Sequence, residues 1–237
     1  MLIISFSGID GAGKSTQIAL LEEWLRAANV GILNLSLWDD IVVGSHLREY
    51  ASLKTFRGDA GIGSPEKPLC RRDKNVTSAP VTLLRTFFYL ADAISLRLKI
   101  HKIRKREVPG VVIFDRYLYD ELANLPLQNS LCRHFAKRLL RIAPSPDVAF
   151  IIDADPAIAC ARKPEYPLEF VNRNRESYLA LSRMLPEITV VEGESIDAME
   201  EKIRETVAEK LPVAHIERFT ADPYNPNPIA HHQSLAR

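Results

Sequence analysis

Five short apolar segments occur along the chain, and each is continuous and bounded by turn residues. Continuous apolar runs of this length are typical of strands that are buried on both faces of a sheet. The segments are residues 2–7, 31–37, 111–114, 148–152 and 188–191. The pattern therefore predicts five buried strands.

Longer stretches with a helical period separate these strands. Residues 14–29, 81–106 and 169–184 repeat apolar side chains every three to four positions, so that Leu21 and Trp24 share one stripe in the first of them. Strands that alternate with helices favour right-handed βαβ crossovers and a parallel sheet. We therefore predict an α/β fold of three layers, α/β/α, with helices on both faces of a five-stranded parallel sheet.

Two segments do not fit this alternation. Residues 55–80 are rich in glycine, proline and charge, which predicts a long surface loop over the site or a partly disordered insertion. From residue 212 onward the chain is rich in proline, which indicates a weakly ordered tail. Residues 1–211 are thus expected to form one domain, and residues 212–237 a tail to which the sequence assigns no function.

The segment between the first strand and the first helix carries the strongest functional signal. Residues 8–16 read GIDGAGKST, which matches the pattern of a phosphate-binding loop, or P-loop. Lys14 supplies positive charge, Ser15 offers a hydroxyl to Mg²⁺, and the amino end of the helix favours an anion. A glycine-rich turn that binds nothing is the alternative, but strand, loop and helix occur in the required order. The predicted phosphate-binding residues are Gly8, Gly11, Ala12, Gly13, Lys14, Ser15 and Thr16.

An acid and an arginine follow the third predicted strand. Asp115 and Arg116 lie at the edge where ligands bind in open α/β sheets. Asp115 is expected to hold water on Mg²⁺ or to orient the acceptor, and Arg116 to clamp a phosphate with its two-pronged guanidinium. A pair that only caps the next helix is the alternative, which the upstream P-loop disfavours. Ser15 and Asp115 are the predicted metal-site residues.

A further carboxylate lies inside the P-loop. Asp10 would repel bound phosphates unless it faces another group, such as a sugar hydroxyl of an acceptor. Its presence indicates a second substrate beside the phosphate donor.

Composition limits the partners and the compartment. Lys and Arg number 31 against 30 Asp and Glu, so no bulk charge favours nucleic acid or a membrane surface. The three cysteines lack metal-ligand or redox spacing, which fits free thiols in a reducing compartment and predicts a cytoplasmic location. The sequence contains neither a signal peptide pattern nor a run of about 18 apolar residues, so neither secretion nor membrane insertion is expected.

These motifs resemble those of the nucleoside monophosphate kinases, and of the thymidylate kinase family in particular. Residues 8–16 look like that family's P-loop with its internal acid, and residues 115–117 are similar to its Asp-Arg-Tyr motif. Weaker similarity extends the resemblance over about residues 2–211. It implies a P-loop kinase fold with a short lid, in which the γ-phosphoryl group of ATP, bound with Mg²⁺, passes to a nucleoside monophosphate, with dTMP as the leading acceptor. It also implies a possible homodimer.

The resemblance assigns roles to individual residues. Gly11 and Ala12 match the subgroup that takes its catalytic cation from the lid, expected at about residues 162–168. Arg162 and Lys163 are the candidate lid cations that neutralise the transferred group, although a solvated pair at a helix end is the alternative. The candidate catalytic residues are then Lys14, Asp115, Arg116 and Arg162.

The acceptor side is assigned in the same way. Tyr89 lies where the family stacks an aromatic ring on the acceptor base, although an aromatic residue on a helix can equally pack into the core. The candidate acceptor-binding residues are Asp10, Tyr89 and Arg116.

Two acceptor contacts of the family are absent. Its Arg-Glu-Pro-Gly type segment is replaced by residues 37–40, which read LWDD, and its arginine after the aromatic motif is replaced by Ala93. Arg48 or the charged cluster at 71–74 could supply the missing charge. Two alternatives therefore stay open: a P-loop kinase for a different nucleotide, nucleoside or small metabolite, and a nucleotide-binding regulatory module without catalysis.

Overall fold

A computed structural model of the protein describes residues 1–44, 79–105, 110–193 and 195–211. The predicted loop 55–80, apart from its last two residues, lies outside this part of the chain, as do the tail 212–237, Arg48 and the cluster 71–74. Within it, no helix has an apolar stretch long enough to cross a membrane.

All five predicted strands are present, each within one residue of its predicted limits. They form one parallel sheet in the spatial order β2-β3-β1-β4-β5. Apolar runs fill β1, β3 and β4 because these central strands are covered on both faces, and their side chains are almost fully buried. The strands are β1 (Leu2–Ser7), β2 (Ile32–Ser36), β3 (Val111–Asp115), β4 (Val148–Asp153) and β5 (Ile188–Glu192).

Seven α-helices and one π-helical turn, Leu37–Ile41, connect or follow the strands in the described residues. The three predicted helices are present, and the second begins at Ala79, so the last two residues of the predicted loop are helical. The helices are α1 (Lys14–Ala27), α2 (Ala79–Lys105), α3 (Leu118–Leu122), α4 (Ser130–Ile142), α5 (Pro156–Arg162), α6 (Leu168–Met184) and α7 (Ile196–Ala208).

Local sequence explains where several helices begin. Asn129, Asp155 and Ser195 each accept a hydrogen bond from a main-chain N–H in the first turn of α4, α5 and α7. Pro156 follows Asp155 at the first position of α5, where its missing N–H costs nothing. These caps fix the helix starts independently of the apolar pattern.

The winding of the sheet places a crevice at the carboxyl end of β1. The β1-to-β2 crossover runs in one direction along the sheet, whereas the later crossovers run in the other. Right-handed crossovers then place α1 on one face and the helices that follow β3 and β4 on the opposite face. A ligand-binding crevice forms where the winding changes in this way. The P-loop follows β1 at this point.

Candidate active site

The P-loop backbone packs closely against the main chain of β4 and α5. Gly8 and Gly11 have φ of 138° and 85°, which L side chains rarely adopt. A Cβ at Gly8 would lie 2.4 Å from the main-chain oxygen of Ile152, and one at Gly11 would lie 2.3 Å from that of Ala159 in α5. Position 11 therefore has no room for a side chain, which fits the expectation that any catalytic cation comes from outside the loop.

The amino end of α1 is available to an anion. Its N-cap is Gly13, and no side chain among the described residues caps the first turn. The first intrahelical acceptor is the Gly13 carbonyl, which receives the N–H of Gln17 at 3.1 Å. The amides of residues 14–16 thus have no partner within the helix, and the helix dipole adds positive potential there.

Lys14 lies inside this loop. Its Nζ donates to the carbonyl oxygens of Gly8 and Ile9, both at 2.8 Å, and the residue is 6% exposed. Burial, reinforced by the charge of Arg116, lowers the pKa of the Lys14 amine to about 8. Carbonyl dipoles are weak substitutes for an anion, so a nucleotide phosphate would be the better partner for this amine.

The two predicted metal-site residues line the same cleft. Ser15 and Asp115 both face a cleft of about 400 Å³ between α1, β2 and the π-helical turn, together with Asp39 and Asp40. The described residues contain no group of three or more His, Cys, Asp or Glu side chains that could hold a metal by themselves. One hydroxyl and one carboxylate suit Mg²⁺ that takes its other ligands from nucleotide phosphates and water.

Arg116 joins β3 to the P-loop. Its main-chain N–H donates to the carbonyl of Phe6 at 2.9 Å, and its φ is 69°. Its Nη1 donates to Oδ1 of Asp120 at 3.0 Å, and its Nη2 forms an ion pair with Oδ1 of Asp10. Burial opposes the charge, but the two carboxylates outweigh it and raise the pKa of Arg116 above its usual value. The structure thus brings together two predicted residues, Asp10 and Arg116.

A buried carboxylate that the sequence reasoning missed lies behind Arg116. Asp120 is 3% exposed and accepts hydrogen bonds from Ser7 Oγ at 2.6 Å and from Tyr178 Oη at 2.8 Å. Burial, followed by the charge of Asp120, raises the pKa of Tyr178, so the phenol keeps its proton. The available signal was an acid at the third position of α3, where its Oδ2 accepts the Tyr117 N–H at 3.1 Å.

The two candidate lid cations lie in different environments. Arg162 ends α5 and is exposed, whereas Lys163 is half-buried and begins the short link to α6. The Nζ of Lys163 lies 3.7 Å from Asp10 Oδ1 and 3.4 Å from Oε1 of the buried Glu165. Of these two residues, Lys163 is therefore the one that pairs with Asp10 of the P-loop.

Tyr89 lies in the hydrophobic core. It is only 7% exposed, whereas Phe87, two residues earlier on α2, is exposed. Ala93, which stands in place of the family's arginine, is fully buried on the same helix. The structure therefore favours core packing for Tyr89, the alternative that the sequence left open, and base stacking stays a prediction.

A second arginine–carboxylate pair lies at the end of β4. The Nε and Nη2 of Arg175 donate to the two carboxylate oxygens of Asp153 at 2.5 and 2.7 Å. The hydrogen bond to Asp153 raises the pKa of Arg175. This pair ties α6 to the sheet and involves neither Arg116 nor the P-loop side chains.

Comparison with known proteins finds thymidylate kinases among the relatives of this chain. No family model matches the chain. A probable thymidylate kinase of Pyrobaculum aerophilum is 31% identical over 188 residues, which cover 76% of this chain and 82% of that protein. A probable thymidylate kinase of Methanothermobacter thermautotrophicus is 27% identical and covers 87% of this chain and 94% of that protein.

Solved structures support the same fold. The crystal structure of thymidylate kinase from Ehrlichia chaffeensis aligns with a TM-score of 0.57 at 21% identity, covering 87% of this chain and 97% of that one. The predicted three-layer P-loop fold with its five-stranded parallel sheet is therefore confirmed. The sequence relatives, the P-loop and the Arg116 site agree with one another. The chain belongs to the thymidylate kinase family.

Proposed function

We propose that the protein transfers the γ-phosphoryl group of ATP to the phosphate of dTMP, giving ADP and dTDP. The observation that carries the proposal is the position of Arg116, a guanidinium held between Asp10 of the P-loop and Asp120 at the crevice of the sheet. A donor loop and a separate phosphate clamp then face one another, as transfer between two phosphorylated substrates requires. The family supports dTMP as the acceptor, and it does not favour the two alternatives that the sequence left open.

The donor side is assigned to the loop. Lys14 and the amides of residues 11–16 would bind the β- and γ-phosphates, while Ser15 and Asp115 would hold Mg²⁺. When bound, Mg²⁺ would neutralise charge on the phosphate oxygens.

The acceptor side is assigned to Arg116. Its guanidinium would bind the phosphate of dTMP, and Asp10 would keep that guanidinium in place or contact the acceptor sugar. The attacking oxygen of a monophosphate is already ionised at neutral pH, so the protein needs no general base. Its contribution is alignment of the two substrates and stabilisation of the charge that spreads over the transferred group.

A panel of acceptors tests this function. ADP release should be measured with ATP and Mg²⁺ and with dTMP, other nucleoside monophosphates and nucleosides, each at the same concentration. We expect dTMP to give the highest kcat/KM. A stronger response to another acceptor would replace dTMP as the substrate, and ATP binding without turnover across the panel would favour a regulatory module.

Lys163 is proposed as the lid cation. It already lies 3.7 Å from Asp10 and is held in place by Glu165, so a small movement of the link after α5 would bring it to the transferred group. Arg162 has no comparable position, since it is exposed at the end of α5.

Alanine substitution at each position separates the two candidates. We expect Lys163→Ala to lower kcat with dTMP by about 10²-fold, because it removes a charge that acts on the transition state. Arg162→Ala should change kcat by less than about threefold, as is usual for an exposed charge away from the reaction. Steady-state kinetics of both variants measures this. The reverse order of effects would move the lid cation to Arg162.

Two broader expectations also remain proposals. We infer a cytoplasmic location, which is supported by Cys132 and Cys160 being free thiols whose pKa values are raised by burial.

We also infer a homodimer. Its support is a set of exposed apolar side chains along α2, namely Leu83, Leu84, Phe87, Ile94 and Leu98.

A further inference from the structure

We propose that Asp120 is a positioning residue for the phosphoryl transfer, because its carboxylate fixes the orientation in which Arg116 can bind the acceptor phosphate. This inference rests on the proposed function of Arg116 as the acceptor clamp. Asp120 is not itself a catalytic residue, since it is 3% exposed and its carboxylate is occupied by protein donors.

The carboxylate of Asp120 is saturated with hydrogen bonds. Its Oδ1 accepts from Arg116 Nη1 at 3.0 Å and from Tyr178 Oη at 2.8 Å. Its Oδ2 accepts from Ser7 Oγ at 2.6 Å and from the Tyr117 N–H at 3.1 Å. A carboxylate offers about four acceptor sites, so four donors leave it no alternative orientation.

Two of these donors, Ser7 and Tyr178, come from distant parts of the fold, whereas Tyr117 is local. Ser7 ends β1, Tyr117 precedes α3, and Tyr178 lies on α6, the helix that follows the lid. Hydrogen bonds from β1 and α6, together with the local bond from Tyr117, fix the position of the carboxylate relative to the sheet and the P-loop. Asp120 can therefore act as a rigid support for the side chain that it binds.

Arg116 needs such a support. Its long side chain has many rotamers, and its backbone φ of 69° lies in a region that L residues rarely occupy. Asp120 holds Nη1 and Asp10 holds Nη2, so the two ends of the planar guanidinium are fixed by separate carboxylates. These bonds use two of the five N–H donors of Arg116, which leaves others for an anion.

The primary test is Asp120→Asn in the full-length protein. Asparagine keeps the shape but loses the charge and one acceptor oxygen, so part of the four-donor arrangement must break. We expect the KM for dTMP to rise about ten- to a hundredfold while the KM for ATP changes by less than about twofold. A merely structural role would lower the active fraction, and therefore kcat, without separating the two KM values.

Two further variants make the result interpretable. Asp147→Asn is the matched control, because Asp147 also accepts a main-chain N–H, that of Ile3 at 2.7 Å, but at the opposite end of β1. It should leave both KM values unchanged. Tyr178→Phe removes only one hydroxyl and keeps the charge of Asp120, so it should raise the KM for dTMP in the same direction by about threefold. If Asp120→Asn does not fold, Tyr178→Phe decides.

A measurement without substrate separates this inference from the proposed function. In protein labelled with ¹⁵N-arginine, the side-chain signals of Arg116 are identified by their loss in Arg116→Lys. We expect Asp120→Asn to shift or broaden them, while the signals of Arg175, which is bonded to Asp153, stay unchanged. If wild-type protein turns over ATP with an acceptor other than dTMP, the proposed function fails, but these signals still report on Arg116. Unchanged Arg116 signals, or equal changes in both KM values, would overturn the role of Asp120.

Discussion

Lys14→Ala is expected to lower kcat with ATP and dTMP by about 10³-fold while the protein stays folded. The amine is the positive charge inside the P-loop, and removal of one such group from the transition state typically costs about two to three orders of magnitude. Its only hydrogen bonds in the described structure go to the carbonyls of Gly8 and Ile9. Because burial lowers the pKa of the amine from 10.5 to about 8, the charged amine reduces the stability of the fold below about pH 8, and this cost disappears as the pH rises to about 10.5. Its removal should therefore leave the thermal midpoint of unfolding nearly unchanged.

Lys202→Ala provides the matched control for this variant. The Nζ of Lys202 also donates to a main-chain carbonyl, that of Val190 at 2.8 Å, but on the surface of α7. Its loss should leave kcat within about twofold of wild type. Initial rates of ADP release and thermal unfolding of both variants are the measurements. Turnover of Lys14→Ala at the wild-type rate would contradict the assignment of the P-loop as the donor site.

The sheet was predictable because its signal is local. Each central strand is a continuous apolar run, and burial on both faces produces that run regardless of which strands are neighbours. Four helices, α3, α4, α5 and α7, were not predicted. For α3 and α5 the reason is length, because five or seven residues are too few to establish a helical period. The π-helical turn at Leu37–Ile41 was missed for a related reason: nothing in five residues distinguishes it from a loop.

The site was predictable only where it is contiguous. The P-loop and the Asp115-Arg116 pair are short motifs whose residue types follow from the chemistry of phosphate binding. Contacts such as Tyr178 to Asp120 join residues 58 positions apart, and their existence depends on how α6 returns to the sheet. The choice between core packing and base stacking for Tyr89 could not be made from periodicity, because an aromatic residue on a helix is compatible with either use.

The choice between Arg162 and Lys163 as the lid cation could not be made from the sequence either. The sequence offered two adjacent cations, and nothing in their types separated them. The end of α5 at Arg162 decides which of them turns toward Asp10. The structure therefore favours Lys163 over Arg162 as the lid cation, while the predicted need for a cation from the lid is unchanged.

Arg116→Ala is expected to lower kcat/KM for dTMP by about 10²- to 10³-fold and to reduce the free energy of unfolding by about 3 kcal/mol. The first effect follows from loss of the acceptor clamp. The second follows because Asp10 and Asp120 remain in the crevice without the cation that both of them bind, and removing one partner of a buried ion pair is strongly destabilising. Steady-state kinetics with varied dTMP and unfolding by urea measure the two effects separately.

Arg116→Gly distinguishes the guanidinium from the backbone that carries it. The φ of 69° disfavours alanine as it does arginine, but glycine adopts it without strain, so the glycine variant should be about 1 kcal/mol more stable than the alanine variant. Because neither variant has a guanidinium, both should lose dTMP turnover to the same extent. If glycine restored turnover, the function of position 116 would lie in the path of the main chain after β3. If alanine left the KM for dTMP unchanged, the acceptor phosphate would bind elsewhere in the crevice.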